Sequence, residues 1–533
     1  MDLIEDCLLH TNTPESNARL AALKAGEEVS ITATSIVAFQ SKGYLLVYAD
    51  SVAEAALIVA QLAPFLHCVI SAPDAENTTC SYPTHNNAIH FNSAHLGHFD
   101  ACTEAGASII QKFYPTKAFD LVLNISKTAL FTAEIPPLGY YAPQNEDELE
   151  QCLQDLPEMI GEFDKPKYFH YNSEQCAHSS SGQKGCEQCI NACPTDAIIS
   201  IGEKIEVNPN LCQGGGSCAT TCPTGAITYN YPPLDDFLEK LRCIINTFRH
   251  HSEQTVQILF YDESSVEPLR AQLPTLPETV LPIFIEEVGA VGMETYLSCL
   301  AYGAQQVVVL YSDYTAPRVL TTLQTQIDYS QQLITPLGYP ITAIQAQHSD
   351  KLAALSPSTV LDRPPARYSG MKDKRTVIEF ALDHLYQHAP TPVERTDLSA
   401  GAPFGYLNIN TETCTLCHSC VNVCPSYALK DGVDIPQLAF IEHSCVQCGL
   451  CVTACPEQAL SCQASYSYES ETRKKKQVLH EEKPFHCISC QKPFGTEKMI
   501  QHMTEKLRNH SMFQGDALKR LQMCEDCRVK DMF

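Results

Sequence analysis

The sequence predicts a multidomain chain of mixed α/β and α+β class, in which two cysteine-rich modules alternate with two small parallel-sheet α/β units before a cysteine-knuckle tail. Three observations carry this prediction. At 533 residues the chain is too long for one hydrophobic core. Two regions alternate short apolar runs with helical stretches, the pattern of βαβ units. Twenty-seven cysteines fall mainly in closely spaced groups. The expected units are residues 1–165 (α/β), 166–235 (first cysteine module), 236–400 (α/β), 401–466 (second cysteine module) and 467–533 (linker and four-cysteine tail).

The first α/β unit is read from GYLLVYAD (Gly43–Asp50), a helical SVAEAALIVAQLAPFL (Ser51–Leu66), HCVISAP (His67–Pro73) and FDLVLNIS (Phe119–Ser126). It carries neither G-x-G-x-x-G after a strand nor G-x-x-x-x-G-K-[ST], so no nucleotide site is expected. His85, His90, His95 and His98 follow neither helical nor knuckle spacing and are expected on an exposed loop.

The second cysteine module is the more regular. It reads Cys414-x2-Cys417-x2-Cys420-x3-Cys424-Pro, then Cys445-x2-Cys448-x2-Cys451-x3-Cys455-Pro, which is the bacterial ferredoxin run twice over. Three thiolates on a tight loop wrap one cubane, and the Cys-Pro turn sends the fourth to the neighbouring cubane. Crossed ligation therefore assigns Cys414, Cys417, Cys420 and Cys455 to one [4Fe-4S] cluster and Cys445, Cys448, Cys451 and Cys424 to another.

The first module is a worn copy. Cys176 is followed by a longer loop, by Cys186-x2-Cys189-x3-Cys193-Pro, and then by Cys212, Cys218 and Cys222-Pro, with Gly215 where a cysteine is expected. The same crossing gives Cys176, Cys186, Cys189 and Cys222 a third [4Fe-4S] cluster. Cys193, Cys212 and Cys218 remain, a set suited to a [3Fe-4S] cluster or an incompletely ligated [4Fe-4S] cluster. The alternative is an empty half-site in which Gly214, Gly215 and Gly216 make a flexible turn. Every Cys-Pro continues in the same way, as CPTDAI, CPTGAI, CPSYAL and CPEQAL. This internal repeat marks two ferredoxin-like modules of pseudo-twofold design, with the Ala and aliphatic residue turned inward.

The second α/β unit is read from VQILFYDE (Val256–Glu263), TVLPIFIEEVG (Thr279–Gly289), a helical GMETYLSCLAYGA (Gly292–Ala304), QQVVVLYSD (Gln305–Asp313) and YPITAIQA (Tyr339–Ala346). Gly289 and Gly292 suit either a small anion site or close strand-to-helix packing. After a basic linker, ETRKKKQ, expected as a solvated hinge, come Cys487-x2-Cys490 and Cys524-x2-Cys527. Two distant C-x2-C knuckles without Cys-Pro are the pattern of a four-cysteine Zn2+ site, the alternatives being a redox dithiol, a cluster or unligated thiols. Eight further cysteines (Cys7, Cys68, Cys80, Cys102, Cys152, Cys243, Cys299, Cys462) stand alone and are expected as small buried apolar residues.

A formal charge of −26 argues against nucleic acid and anionic membrane surfaces as partners. The most apolar stretch, Ala55–Ile70, is interrupted by Gln61, Pro64 and His67, so no membrane span is expected. The acidic N-terminus lacks a basic n-region, and the expected location is the cytoplasm.

Two resemblances extend this reading. The strand ending in EVG, the helix ending in GA and the following VVVL resemble the delta subunit of methyl-viologen-reducing hydrogenases over about fifty residues, without the cysteines expected there. The order of modules, with the tail FHCISCQKPFG and MCEDCRVKDMF, resembles the large cytoplasmic 4Fe-4S proteins found beside formate dehydrogenase genes. That resemblance implies electron transfer between a formate dehydrogenase and an acceptor; the sequence shows no flavin, nucleotide or molybdopterin motif that would make the chain a self-sufficient enzyme, so no independent catalytic activity is expected. The alternative is an accessory or assembly factor for a molybdenum- or tungsten-dependent formate dehydrogenase. A third reading makes an open iron beside Gly215 a Lewis acid.

Overall fold

The structure, a computed structural model, describes all residues except 1–12, 87–88, 181, 353–354, 356–362, 433–434 and 533. Cys7 lies outside the described residues. The chain is a mixed α/β multidomain protein with several small sheets. In the first α/β unit, the strands Thr84–His85, His67–Ser71, Tyr44–Tyr48, Leu121–Asn124 and Tyr140–Tyr141 form one five-stranded sheet, in that order and all parallel. The helix Val52–Leu62 crosses between two of them. Ser51 caps it by accepting a hydrogen bond from the Glu54 amide, and Val52, Ala55, Ile58, Val59 and Leu62 form its buried stripe.

The histidine stretch is not a loop. His90–His95 and His98–Cys102 form an antiparallel hairpin in which His95 faces His98 across the turn at Gly97, whose φ is +76°. Phe99 and Ala101 alternate inward from it and pack with Phe119 and Ile110. The apolar residues between the histidines set the structure; counting only the histidines concealed their period of two.

The second α/β unit has a four-stranded parallel sheet in the order Val280–Phe284, Gln257–Tyr261, Gln306–Tyr311, Ile344–His348. Its helix Met293–Tyr302 is buried on every side and ends at Gly303, whose φ of +113° is the left-handed cap that glycine favours. The core of this unit reaches into its neighbours: Ala18 and Leu23 of the helix Pro14–Glu27 join it, as do Phe404, Tyr466 and Tyr468. The basic linker keeps Lys474, Lys475 and Lys476 exposed, as expected of a solvated segment, but one of its residues is packed. Arg473 is buried and donates to the carbonyls of Ser467 and Tyr468, pairs with Asp383 at 2.8 Å and lies 4.8 Å from the Tyr466 ring. A run of lysines hid one arginine whose planar guanidinium satisfies several acceptors at once. Among the described residues, no helix is long and apolar enough to cross a membrane.

Glu287 follows the strand Val280–Phe284, where burial, with Asp262 and Glu286 nearby, pushes its carboxyl up to about 7. A carboxyl whose folded value is raised contributes stability that is fully present below its unfolded value and lost as pH rises through the folded one. The unfolding free energy of the wild type, read from urea melts, is expected to fall relative to Glu287→Gln between about pH 4.5 and 8, by about 3 kcal/mol. Parallel pH profiles for the two proteins would refute this.

Candidate metal centres

Three of the four cysteine loops share one pattern of left-handed residues, and all four share the short helix and the turn after Cys-Pro. Counting from the first cysteine of a run, the second and fourth following residues are left-handed in the loops of Cys414 (Leu416, φ 53°; His418, φ 58°) and Cys445 (Gln447, φ 54°; Gly449, φ 79°). The loop of Cys212 repeats this at Gly214 (φ 84°) and Gly216 (φ 72°). Short helices then begin one residue before Cys189, Cys218, Cys420 and Cys451. Three residues after each Cys-Pro cysteine the backbone is left-handed again, at Asp196, Gly225, Tyr427 and Gln458. Left-handed residues other than glycine are costly, so their recurrence at matched positions is a built feature. The next two residues turn inward as expected: Ala197 and Ile198, Ala226 and Ile227, Ala428 and Leu429, Ala459 and Leu460 are all buried.

The crossing brings distant cysteines together. Cys176, Cys186, Cys189 and Cys222 line one small cavity, and Cys414, Cys417, Cys420 and Cys455 line another. Burial pushes the thiols of Cys186 and Cys420 up to about 12, so without metal they hold their protons, and iron must displace them. Cys424, Cys445, Cys448 and Cys451 are electrostatic neighbours in the second module. Cys462, expected to stand alone, joins that group, hydrogen-bonded to Cys451 and beside Cys445 and Cys448. The missed signal was strand alternation: Cys462 follows inward-facing Leu460 by two residues on the strand Leu460–Ser467.

Cys193 and Cys212 both lie beside the half-buried Cys218. Gly214–Gly216 is no flexible turn. A Cβ on Gly216 would stand 2.3 Å from Ala290 Cα, and one on Gly214 would stand 2.8 Å from the Tyr168 ring. From the facing side, a Cβ on Gly289 would meet Gly215 O at 2.2 Å and one on Gly292 would meet Thr220 at 2.9 Å. Gly289 and Gly292 therefore serve a seam between the first cysteine module and the second α/β unit, with no space left for an anion. Gly215 itself has room: a Cβ there would find its nearest neighbour, Pro194 Cγ, at 3.4 Å.

The two modules face each other. A cavity of about 260 Å3 between them is lined by Cys186 and Cys222 on one side and Cys448 on the other. Gly185 lies close enough to the second module that a Cβ would reach Leu450 at 2.9 Å. Cations that spacing could not reveal hold the cysteine loops by their carbonyls. Arg375 donates to Pro223 and Pro403 (3.3 and 2.9 Å) and to His443 and Cys445 (3.0 and 3.1 Å), spanning both modules. Lys374 donates to Ala219 and Thr220, Lys165 to Asn210 and Cys212, and Arg318 to Cys193. These positive charges lie beside loops that would carry anionic clusters, where they favour the reduced form.

In the tail, the sulfurs of Cys487, Cys490, Cys524 and Cys527 lie within 4.8 Å of one another, with Cys490 and Cys524 3.6 Å apart. Zn–S bonds of about 2.3 Å in a tetrahedron put sulfurs about 3.8 Å apart, so a single ion fits this set. Burial pushes the Cys487 thiol up, but the backbone amides of Cys490, Cys524 and Ser489 outweigh it and hold the thiol at about 6. Among the described residues no four cysteines of the two modules crowd this closely; they surround wider spaces suited to a polynuclear centre. The tail rests on the module, with Thr496 Oγ1 donating to Thr415 O at 3.5 Å and Lys498 to Thr411 O at 2.8 Å.

Family models agree with this geometry. Residues 413–460 match a 4Fe-4S dicluster domain, and residues 205–228 and 183–196 each match a 4Fe-4S binding domain. A ferredoxin of Alicyclobacillus acidocaldarius is 35% identical over 72 residues, covering 13% of this chain and 87% of the relative. The chain belongs to the 4Fe-4S ferredoxin family. An uncharacterized ferredoxin of Methanocaldococcus jannaschii is 40% identical over 43 residues, covering 8% of this chain and 69% of its own. As a ferredoxin the chain binds 4Fe-4S clusters and serves electron transfer, and most of its length lies outside these matches.

Proposed function

We propose that this ferredoxin relays single electrons through a line of four centres between a dehydrogenase and an acceptor. Cys414, Cys417, Cys420 and Cys455 hold the first [4Fe-4S] cluster; Cys424, Cys445, Cys448 and Cys451 the second; Cys176, Cys186, Cys189 and Cys222 the third. Cys193, Cys212 and Cys218 hold a [3Fe-4S] cluster at the far end. One observation carries the order: Cys186 and Cys448 line the same inter-module cavity, so the two inner sets adjoin. Bound clusters would supply one-electron redox chemistry, while the chain's own residues set their sequence along the line. Cys417 is exposed, which gives the line an accessible end. The tail cysteines hold Zn2+ and brace that end. The module order and tail support formate dehydrogenase as the partner.

The test counts iron, sulfide and zinc on anaerobically purified full-length protein and records low-temperature EPR of the oxidised sample. About fifteen irons are expected, four for each of three cubanes and three for the last centre, together with one zinc and a [3Fe-4S] signal. Cys420→Ser is expected to lose its centre and stop transfer to a formate dehydrogenase. Undiminished transfer in that variant would exclude the relay.

A further inference from the structure

A second cavity, of about 440 Å3, lies beside the three-cysteine site and belongs to none of the cysteine sets. Its floor is formed by the strand Ile227–Tyr229 and by Ala219, the residue after Cys218; its far wall comes from the second α/β unit and its mouth from residues 31–34. The volume falls within the range of small-molecule sites, which are mostly apolar with a few convergent polar groups. Phe237, Tyr231, Leu234 and Ile285 supply the apolar walls.

The polar groups are unusually exacting. Glu294 is only 5% exposed, and its Oε2 accepts no hydrogen bond, standing 3.6 Å from Lys374 Nζ. Lys374 uses two of its three donors on Ala219 and Thr220. The Tyr229 hydroxyl is also buried without a hydrogen-bond partner. A buried polar atom left without a hydrogen bond costs about 1–3 kcal/mol, so two such atoms lining one cavity, Glu294 Oε2 and the Tyr229 hydroxyl, point to a ligand that satisfies them beside the Lys374 ammonium. A cation would meet Lys374 and an anion would meet Glu294. A neutral molecule with a group that both donates and accepts suits both.

We propose that this cavity binds a neutral planar aromatic molecule of about two rings bearing a hydroxyl or keto group, held by Glu294, Lys374 and Tyr229. The bound molecule lies against the loop that carries Cys218. Binding stands independently of the relay, because it is read at equilibrium without electron transfer. The test titrates full-length, anaerobically purified protein with 2-naphthol by calorimetry, using naphthalene as the comparison. One 2-naphthol per chain is expected, with naphthalene at least about tenfold weaker, since a hydrogen bond to a charged group contributes about 1.5 kcal/mol or more. Tyr229→Phe is expected to weaken 2-naphthol about fivefold, and Ala33→Trp, placed at the exposed mouth, to abolish binding, both with unchanged iron content. No stoichiometric binding, equal affinity for naphthalene, or indifference to both substitutions would overturn the proposal.

Discussion

Arg375→Ala is expected to separate the two ferredoxin modules while leaving each of them loaded. The guanidinium donates to four carbonyls drawn from both modules and lies 5.0 Å from the Phe404 ring. Its removal strands carbonyls at the junction of the two modules that have no other side-chain donor among the described residues. Charge-assisted hydrogen bonds contribute about 1.5–3 kcal/mol each, and their losses at one residue are not additive, so the expected destabilisation is about 3–5 kcal/mol. The measurement is twofold: a lower denaturant midpoint, and loss of magnetic coupling between the inner centres with the iron count retained. Arg375→Lys keeps the charge but not the planar fork, and is expected to recover only part of the stability. Unchanged coupling in Arg375→Ala would show that the modules dock without it.

The glycines of CQGGGSC give the second large effect, with opposite outcomes at neighbouring positions. Gly216→Ala places a methyl 2.3 Å from Ala290 Cα at a φ of +72°, so it carries both a left-handed penalty of about 1–2 kcal/mol and a backbone clash. The seam must open, and the expected result is loss of the three-cysteine centre together with a destabilisation of about 3 kcal/mol or more. Gly215→Cys meets nothing nearer than 3.4 Å and is expected to fold. It is expected to convert the three-thiolate centre to a four-thiolate one, read as loss of the [3Fe-4S] signal with about one more iron per chain. If Gly216→Ala keeps its signal, or Gly215→Cys leaves the spectrum untouched, the retained loop geometry has no bearing on cluster binding.

The parts of this protein that were legible in its sequence are those written in short-range spacing. Cysteine intervals, the proline after each run and the Ala-aliphatic pair that follows foretold the tight loops and the inward-facing residues, because each depends on near neighbours in the chain; the crossing was an inference from the repeated run. The parallel sheets were legible for the same reason, as apolar runs of strand length. Conspicuous residue types concealed part of the structure: the histidines masked an alternating strand, and the exposed lysines of the linker masked the buried Arg473 beside them.

What only the tertiary structure decided are relations between segments that no local period encodes. Arg375 reaches Cys445 across 70 residues, Lys374 reaches Ala219 across 155, and Arg318 reaches Cys193 across 125. Cys462 counted as isolated until strand alternation turned it toward Cys451. The glycines that seemed to loosen one loop turned out to fit it against another unit. Thiolate spacing determines which cysteines can wrap a common centre, because a tight loop fixes their geometry locally. The order of the centres, their surrounding charge and the cavity beside them arise from packing whole units together, and packing is a property of surfaces brought together by the fold rather than of residues adjacent in the chain.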